Sequence, residues 1–153
     1  MKTAWTPRQR IERLLAGEAA DRIPFCPAVY EHKAALIGAR PSEMCRDADL
    51  FERAIGREVE VYDPDLLVVG CDVYNVEAEA LGCEVAYPDS TGVPAVKTRL
   101  VRPGDDLAAL AVPDPTAAGR MPLHLEVGRR VQARFGRERL VRGALTAPFS
   151  MAA

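Results

Sequence analysis

The stretch DLLVVGCDVYNVEAEALGCEV, residues 65–85, decides the fold. Leu66–Val69 is a short, continuous apolar run, the pattern of a strand covered on both faces as in a parallel sheet. It stops at Gly70, and Asp72, Tyr74, Asn75 and Glu77 follow within a few residues. VEAEAL then reads as a short helix ended by Gly82. A buried strand that gives way to polar groups and then to a helix is one β/α unit.

Similar units lie on either side. Thr6-Pro7-Arg8-Gln9 carries a cap, a first-turn proline and a capping-box pattern, and Ile11, Leu14 and Leu15 share a face of the helix it starts. Gly17 can end that helix. Ile23 to Val29 is apolar with two prolines and reads as a short strand leaving toward a loop. EHKAALIGA (31–39) and a stretch around Asp49 to Arg57 have helical patterns. CEVAYPDSTGVPAVKTRLV (83–101) alternates strand and turn signals, as a hairpin excursion does, and residues 102–120 are loop-rich. From Met121 to Phe135 the pattern is helical, with Leu123, Val127 and Val131 on one face and Gly136 at the end. RLVRGALTAPF (139–149) is a strand running into a loop, and SMAA begins a further helix. Three strands, near Ile23, Leu66 and Leu140, separated by helices predict a parallel α/β sheet.

Composition narrows the function. The chain has 153 residues, 48% hydrophobic and 27% charged, enough for one domain with a core. Twenty basic residues face 22 acidic ones, a net charge of −2, so bulk charge points to neither a nucleic acid nor an acidic membrane. The arginines between 120 and 142 read as the wet face of a helix. The N-terminus has no apolar signal core, and no stretch nears the ~18–20 apolar residues of a membrane span, so a cytoplasmic protein is expected. Cys26, Cys45, Cys71 and Cys83 form no CxxC pair and are expected to be free thiols. No ligand set for a metal is apparent at their spacing. P-loop and GxGxxG patterns are absent, which disfavours a small flavodoxin-like domain.

Four blocks in order carry a resemblance: TPRQRIERLLAGEAADRIPFCPAVYEH (6–32), the opening stretch (65–85), PDPTAAGRMPLHLEVGRRVQARFG (113–136) and VRGALTAPFSMAA (141–153). Together they resemble the N-terminal part of the uroporphyrinogen decarboxylase superfamily, which includes cobalamin- and coenzyme M-dependent methyltransferases. The most specific pieces are DxxxxEAEALGCEV (72–85) and RGALTAPF (142–149). The resemblance implies about three β/α units of a (β/α)8 TIM barrel across residues 1–153. Such a barrel needs about 250 residues. The chain is therefore expected to be incomplete, with a missing C-terminal half or a homo-oligomer covering the open edge.

In such barrels the site lies at the C-terminal ends of the strands. That expectation places Tyr30 and His32, then Tyr74, Asn75 and Glu77, then Thr146 and Phe149, on the substrate-binding rim, with Glu31, Lys33 and Pro148 beside them. Asp72 is the catalytic candidate. The resemblance aligns it, with a one-residue shift, to the aspartate that binds pyrrole N–H groups in the decarboxylases, where a carboxylate offsets a developing cation. The structural alternative for Asp72 is a helix cap on Tyr74 or Asn75, and for Glu77 a partner of the helix dipole. His32 is either a proton donor or simply exposed; His124 reads as structural or solvent-facing.

The decarboxylases carry an RQAGRY run after the first strand, whose arginines hold the acid side chains of the substrate. Here that place reads PAVYEHKAALIGARP (27–41), with Arg40 alone. This favours the methyltransferase type: methyl transfer between a corrinoid, carried by a protein, and a thiol or similar acceptor. That type uses zinc through a His-x-Cys and a later Cys, which belong to the second half of the barrel. No cofactor ligands are expected within residues 1–153, and zinc is expected in the complete protein. The alternatives are cofactor-free decarboxylation of uroporphyrinogen III, and a non-catalytic half-barrel that works only with a partner.

Overall fold

A computed structural model describes residues 5–72, 75–89, 92–102, 104 and 107–152. The elements in order are helix α1 (Pro7–Leu15), α2 (His32–Ala35), α3 (Pro41–Met44), α4 (Ala48–Tyr62), strand β1 (Leu66–Val69), α5 (Val76–Leu81), β2 (Val85–Ala86), β3 (Ala95–Val96), α6 (Met121–Phe135), β4 (Leu140–Gly143) and α7 (Pro148–Ala152).

Local sequence explains the helix ends. The Thr6 side chain accepts from the Gln9 amide and the Gln9 side chain accepts from the Thr6 amide, a complete capping box. Asp47 caps α4 by accepting from the amides of Asp49 and Leu50. Gly82, at φ 109°, ends α5 as the sequence predicts.

β1 and β4 pair in parallel, Leu66 with Leu140 through Val69 with Gly143. β2 and β3 form a separate antiparallel hairpin, the expected excursion between α5 and α6. The core lies on one face of the parallel pair. Leu67 and Val69 pack there against Phe51, Ala54 and Ile55 of α4 and against Val127 and Val131 of α6. Period-two alternation puts Leu66, Val68, Leu140 and Arg142 on the opposite face. In a closed barrel that face is the interior.

The expected strand near Ile23 does not form a ladder. Pro24 and Pro27 have no amide to donate, and Ile23 is 90% exposed. The segment still runs beside β1. At its start Phe25 and Asp65 bond in both directions: the Phe25 amide donates to the Asp65 carboxylate, and the Asp65 amide donates to the Phe25 carbonyl. At its end Tyr30 lies over Gly70, where an added Cβ would fall 2.9 Å from the ring and 2.8 Å from Ala144 Cβ. Three extended segments therefore stand side by side, of which two are hydrogen-bonded strands.

Two further expectations change. Lys33 is not a rim residue. It is 1% exposed, with Nζ 3.0 Å from the Val68 carbonyl and 3.2 Å from the Glu58 carboxylate. Burial pushes its pKa down, against the pull of Glu58. The arginines of 120–142 are not all on a wet face: Arg120 and Arg139 are buried.

Gly70→Ala is expected to lower stability by about 1–3 kcal/mol, because its Cβ meets two neighbours that are themselves packed. Urea unfolding monitored by circular dichroism checks this, and an unchanged midpoint would show that Tyr30 is free to move aside.

Candidate active site at the strand ends

β1 delivers Gly70, Cys71 and Asp72 to the C-terminal edge of the sheet, and β4 delivers Ala144 to Thr146 beside them. A small pocket between the two loops is lined by Tyr30, Asp72, Val76, Glu77, His124, Ala144, Leu145 and Thr146. Four expected site residues therefore converge: Tyr30, Asp72, Glu77 and Thr146. Glu77 joins the two loops directly. Its Oε1 accepts from the Thr146 amide and its Oε2 from the Thr146 hydroxyl, each at 2.9 Å.

Asp72 is buried, its carboxylate fully enclosed. Its partner is Arg120 at the start of α6, with Nη1 2.7 Å from Oδ2. Among the described residues neither oxygen of Asp72 makes a well-directed hydrogen bond, so the contact with Arg120 is an ion contact. Asn75, not Asp72, occupies the cap position of α5. Arg120 also bonds Glu79 through Nε and lies over the Tyr87 ring, whose hydroxyl donates to Glu79. One guanidinium thus draws together the loop after β1, α5 and the hairpin. Burial works against its charge, but Asp72 and Glu79 outweigh burial and raise its pKa.

Behind Asp72 lies a thiol cluster that the spacing of the cysteines does not reveal. All four cysteines are free. Cys71 and Cys45 are both fully buried, and Cys45 Sγ donates to the Cys71 carbonyl at 3.2 Å. Cys71 Sγ stands 3.3 Å from His124 Nε2 and 3.7 Å from Arg120 Nη1. The adjacent Cys45 thiol and then His124 lower the Cys71 pKa to about 6, against the opposing effects of burial and of Asp72. The same contact, with burial, pushes Cys45 up. His124 is therefore half-buried at the pocket wall. Its ring rests edge-on against Phe51 and lines both the small pocket and an adjoining apolar cleft of about 550 Å³ between α5, α6 and β4.

The remaining expected residues stand elsewhere. His32 bonds the Tyr62 hydroxyl at the end of α4. Asn75 turns away to donate to the Pro94 carbonyl, which anchors the hairpin. Phe149 is 86% exposed on α7 and lines neither cavity. Tyr74 lies outside the described residues. The missed residues, Arg120 at the N-terminal cap of α6 and His124 within it, lie far along the chain. Only the packing of α6 on β1 brings them to Asp72 and Cys71.

Among the described residues no three His, Cys, Asp or Glu side chains converge to hold a metal ion. The described side chains therefore do not fit zinc, the metal that the resemblance implies. No described helix is long and apolar enough to cross a membrane.

The model of the uroporphyrinogen decarboxylase (URO-D) family matches residues 6–153, and the chain belongs to that family. Along 98% of its length it is 27% identical to the methylcobamide:CoM methyltransferase MtbA of Methanosarcina acetivorans. It superposes on a methyltransferase from Methanosarcina mazei with a TM-score of 0.82 over 97% of the chain, at 23% identity. It spans 44% of the length of each of these relatives. The fold is accordingly the N-terminal portion of a TIM barrel, which the described residues do not close.

Removing Arg120 leaves a buried carboxylate without its ion partner. Arg120→Ala is expected to cost about 3–5 kcal/mol. Combining it with Asp72→Asn should recover part of that loss, because the orphaned charge is gone. A double-mutant cycle in urea measures the coupling, and additive losses would show that the pair contributes little.

Proposed function

We propose that this chain supplies the first strands, and part of the active-site rim, of a methyltransferase of the corrinoid type. The observation that carries the reading is the likeness to a methylcobamide:CoM methyltransferase along nearly the whole chain. The partner is then a protein that carries a corrinoid, and the acceptor a thiol or a group of similar chemistry. Glu77, Tyr30 and Thr146 form the rim that meets the substrate, with the enclosed Asp72 carboxylate directly behind them.

The charges of the site support this choice over the decarboxylase reading. A polycarboxylate substrate needs cationic anchors. The described lining of the small pocket holds two carboxylates and neither arginine nor lysine. The cations nearest in sequence to the first rim are engaged elsewhere. Lys33 is bonded inside the core, and Arg40 pairs with Glu43, itself placed away from the pocket. One observation favours the decarboxylase reading: a carboxylate, Asp72, sits at the end of β1, where the resemblance places the one that accepts from pyrrole N–H groups.

The full-length protein is expected to demethylate methylcobalamin when 2-mercaptoethanesulfonate is supplied, with the cobalt spectrum as the readout. It is expected not to form coproporphyrinogen from uroporphyrinogen III. Porphyrinogen turnover without methyl transfer would reverse the assignment. Asp72→Asn should lower whichever activity is found by at least about 10²-fold, the range of a lost electrostatic contact in the transition state.

A further inference from the structure

We propose that Cys71, as a thiolate, orients His124 as the base of the pocket, so that the two act as a proton-accepting pair beside Asp72. Cys71 is the positioning residue; His124 is the group that meets the substrate.

The geometry is that of a base held by an anion. Cys71 Sγ faces His124 Nε2 at 3.3 Å, and the ring stands in a T-shaped contact with Phe51. With the thiolate as acceptor, the ring carries its proton on Nε2, and Nδ1 keeps the lone pair. The logic is that of a catalytic triad, where a buried anion fixes the tautomer of a histidine and stabilises the imidazolium that forms. His124 is the one pocket-lining imidazole among the described residues.

The surroundings favour the thiolate. Arg120 Nη1 is 3.7 Å from the sulfur. The Cys45 thiol and His124 hold the Cys71 pKa near 6, with Asp72 and burial opposing them. Glu77, the other titratable group of the pocket, lines it alongside His124 and is taken up by Thr146. At neutral pH the thiol has therefore lost its proton to solvent, and Nδ1 of His124 is the proton acceptor the pair offers. A protic acceptor X–H then gives its proton to Nδ1 and becomes X⁻, the nucleophile. The imidazolium formed is paired with the Cys71 thiolate and later returns the proton to solvent.

The existence of the pair does not depend on the methyl-transfer reading, whereas the use of the base on an acceptor thiol rests on it. On the full-length protein, the ultraviolet thiolate absorbance of the unmodified chain minus that of Cys71→Ala should show a step with a midpoint near 6, since the difference cancels the other free thiols. Nitrogen NMR of His124 should show the Nε2–H tautomer. His124→Gln should lower kcat/KM by about 10²–10⁴-fold. Cys71→Ala should lower kcat with KM unchanged, as loss of orientation does. A Cys71 midpoint at or above about 8.5, or the Nδ1–H tautomer, overturns the pair. Methyl transfer that survives His124→Gln overturns the base role and leaves the functional reading standing. A thiolate step and Nε2–H tautomer without methyl transfer keep the pair and remove that reading.

Discussion

Much of the fold depends on one carboxylate at the bottom of the sheet. Asp65, fully buried at the entry to β1, accepts from Arg10 of α1, from Arg22 and from the amide of Phe25. Burial works against its charge, but these donors outweigh it and hold its pKa below the ordinary carboxylate range. The contact replaces something the sequence denies. Prolines at 24 and 27 prevent a full ladder between the first extended segment and β1. Asp65 holds that segment at its start, and the Tyr30 ring over Gly70 holds it at its end. A strand position of the barrel is thus occupied with few ladder bonds. Buried ion pairs are weak sources of net stability, and their use here is to specify a place.

The two ends of the sheet differ in charge balance. At the bottom, Arg10 and Arg22 meet Asp21 and Asp65, two cations against two anions. At the top, Arg120 meets both Asp72 and Glu79. One cation between two carboxylates leaves an anionic excess in a water-poor place. The balanced end suits structure. The unbalanced end suits a site, where an incoming group or proton completes the count.

Local features were legible in the sequence wherever a single element decides them. The capping box at Thr6, the Gly82 stop, the helix from Met121 to Phe135 and the hairpin excursion all follow from neighbouring residues. That Tyr30, Asp72, Glu77 and Thr146 come together at one pocket was legible because strand ends point to one edge of a parallel sheet. His32 and Asn75 stand outside the pocket, each held by a hydrogen-bond partner far along the chain, Tyr62 in one case and Pro94 in the other. Lys33 failed because a long cationic side chain beside an acidic one can be drawn into the core. Arg120 and His124 could not be found, since an arginine or histidine on a mixed helix gives no local sign of which strand its helix will cover.

That last failure bears on where the chemistry of the site resides. The loop after β1 brings carboxylate and thiol together by adjacency, Asp72 next to Cys71. Alone they would repel each other as anions, and Asp72 does oppose ionisation of the thiol. α6 changes the sign of the environment by inserting Arg120 against the carboxylate and His124 against the sulfur. Val127 and Val131, one and two turns further on, lock α6 to the sheet through the core. The protonation of the rim is thus set by apolar packing one layer away, and a change in the seating of α6 would alter the partners of Asp72 and Cys71 together.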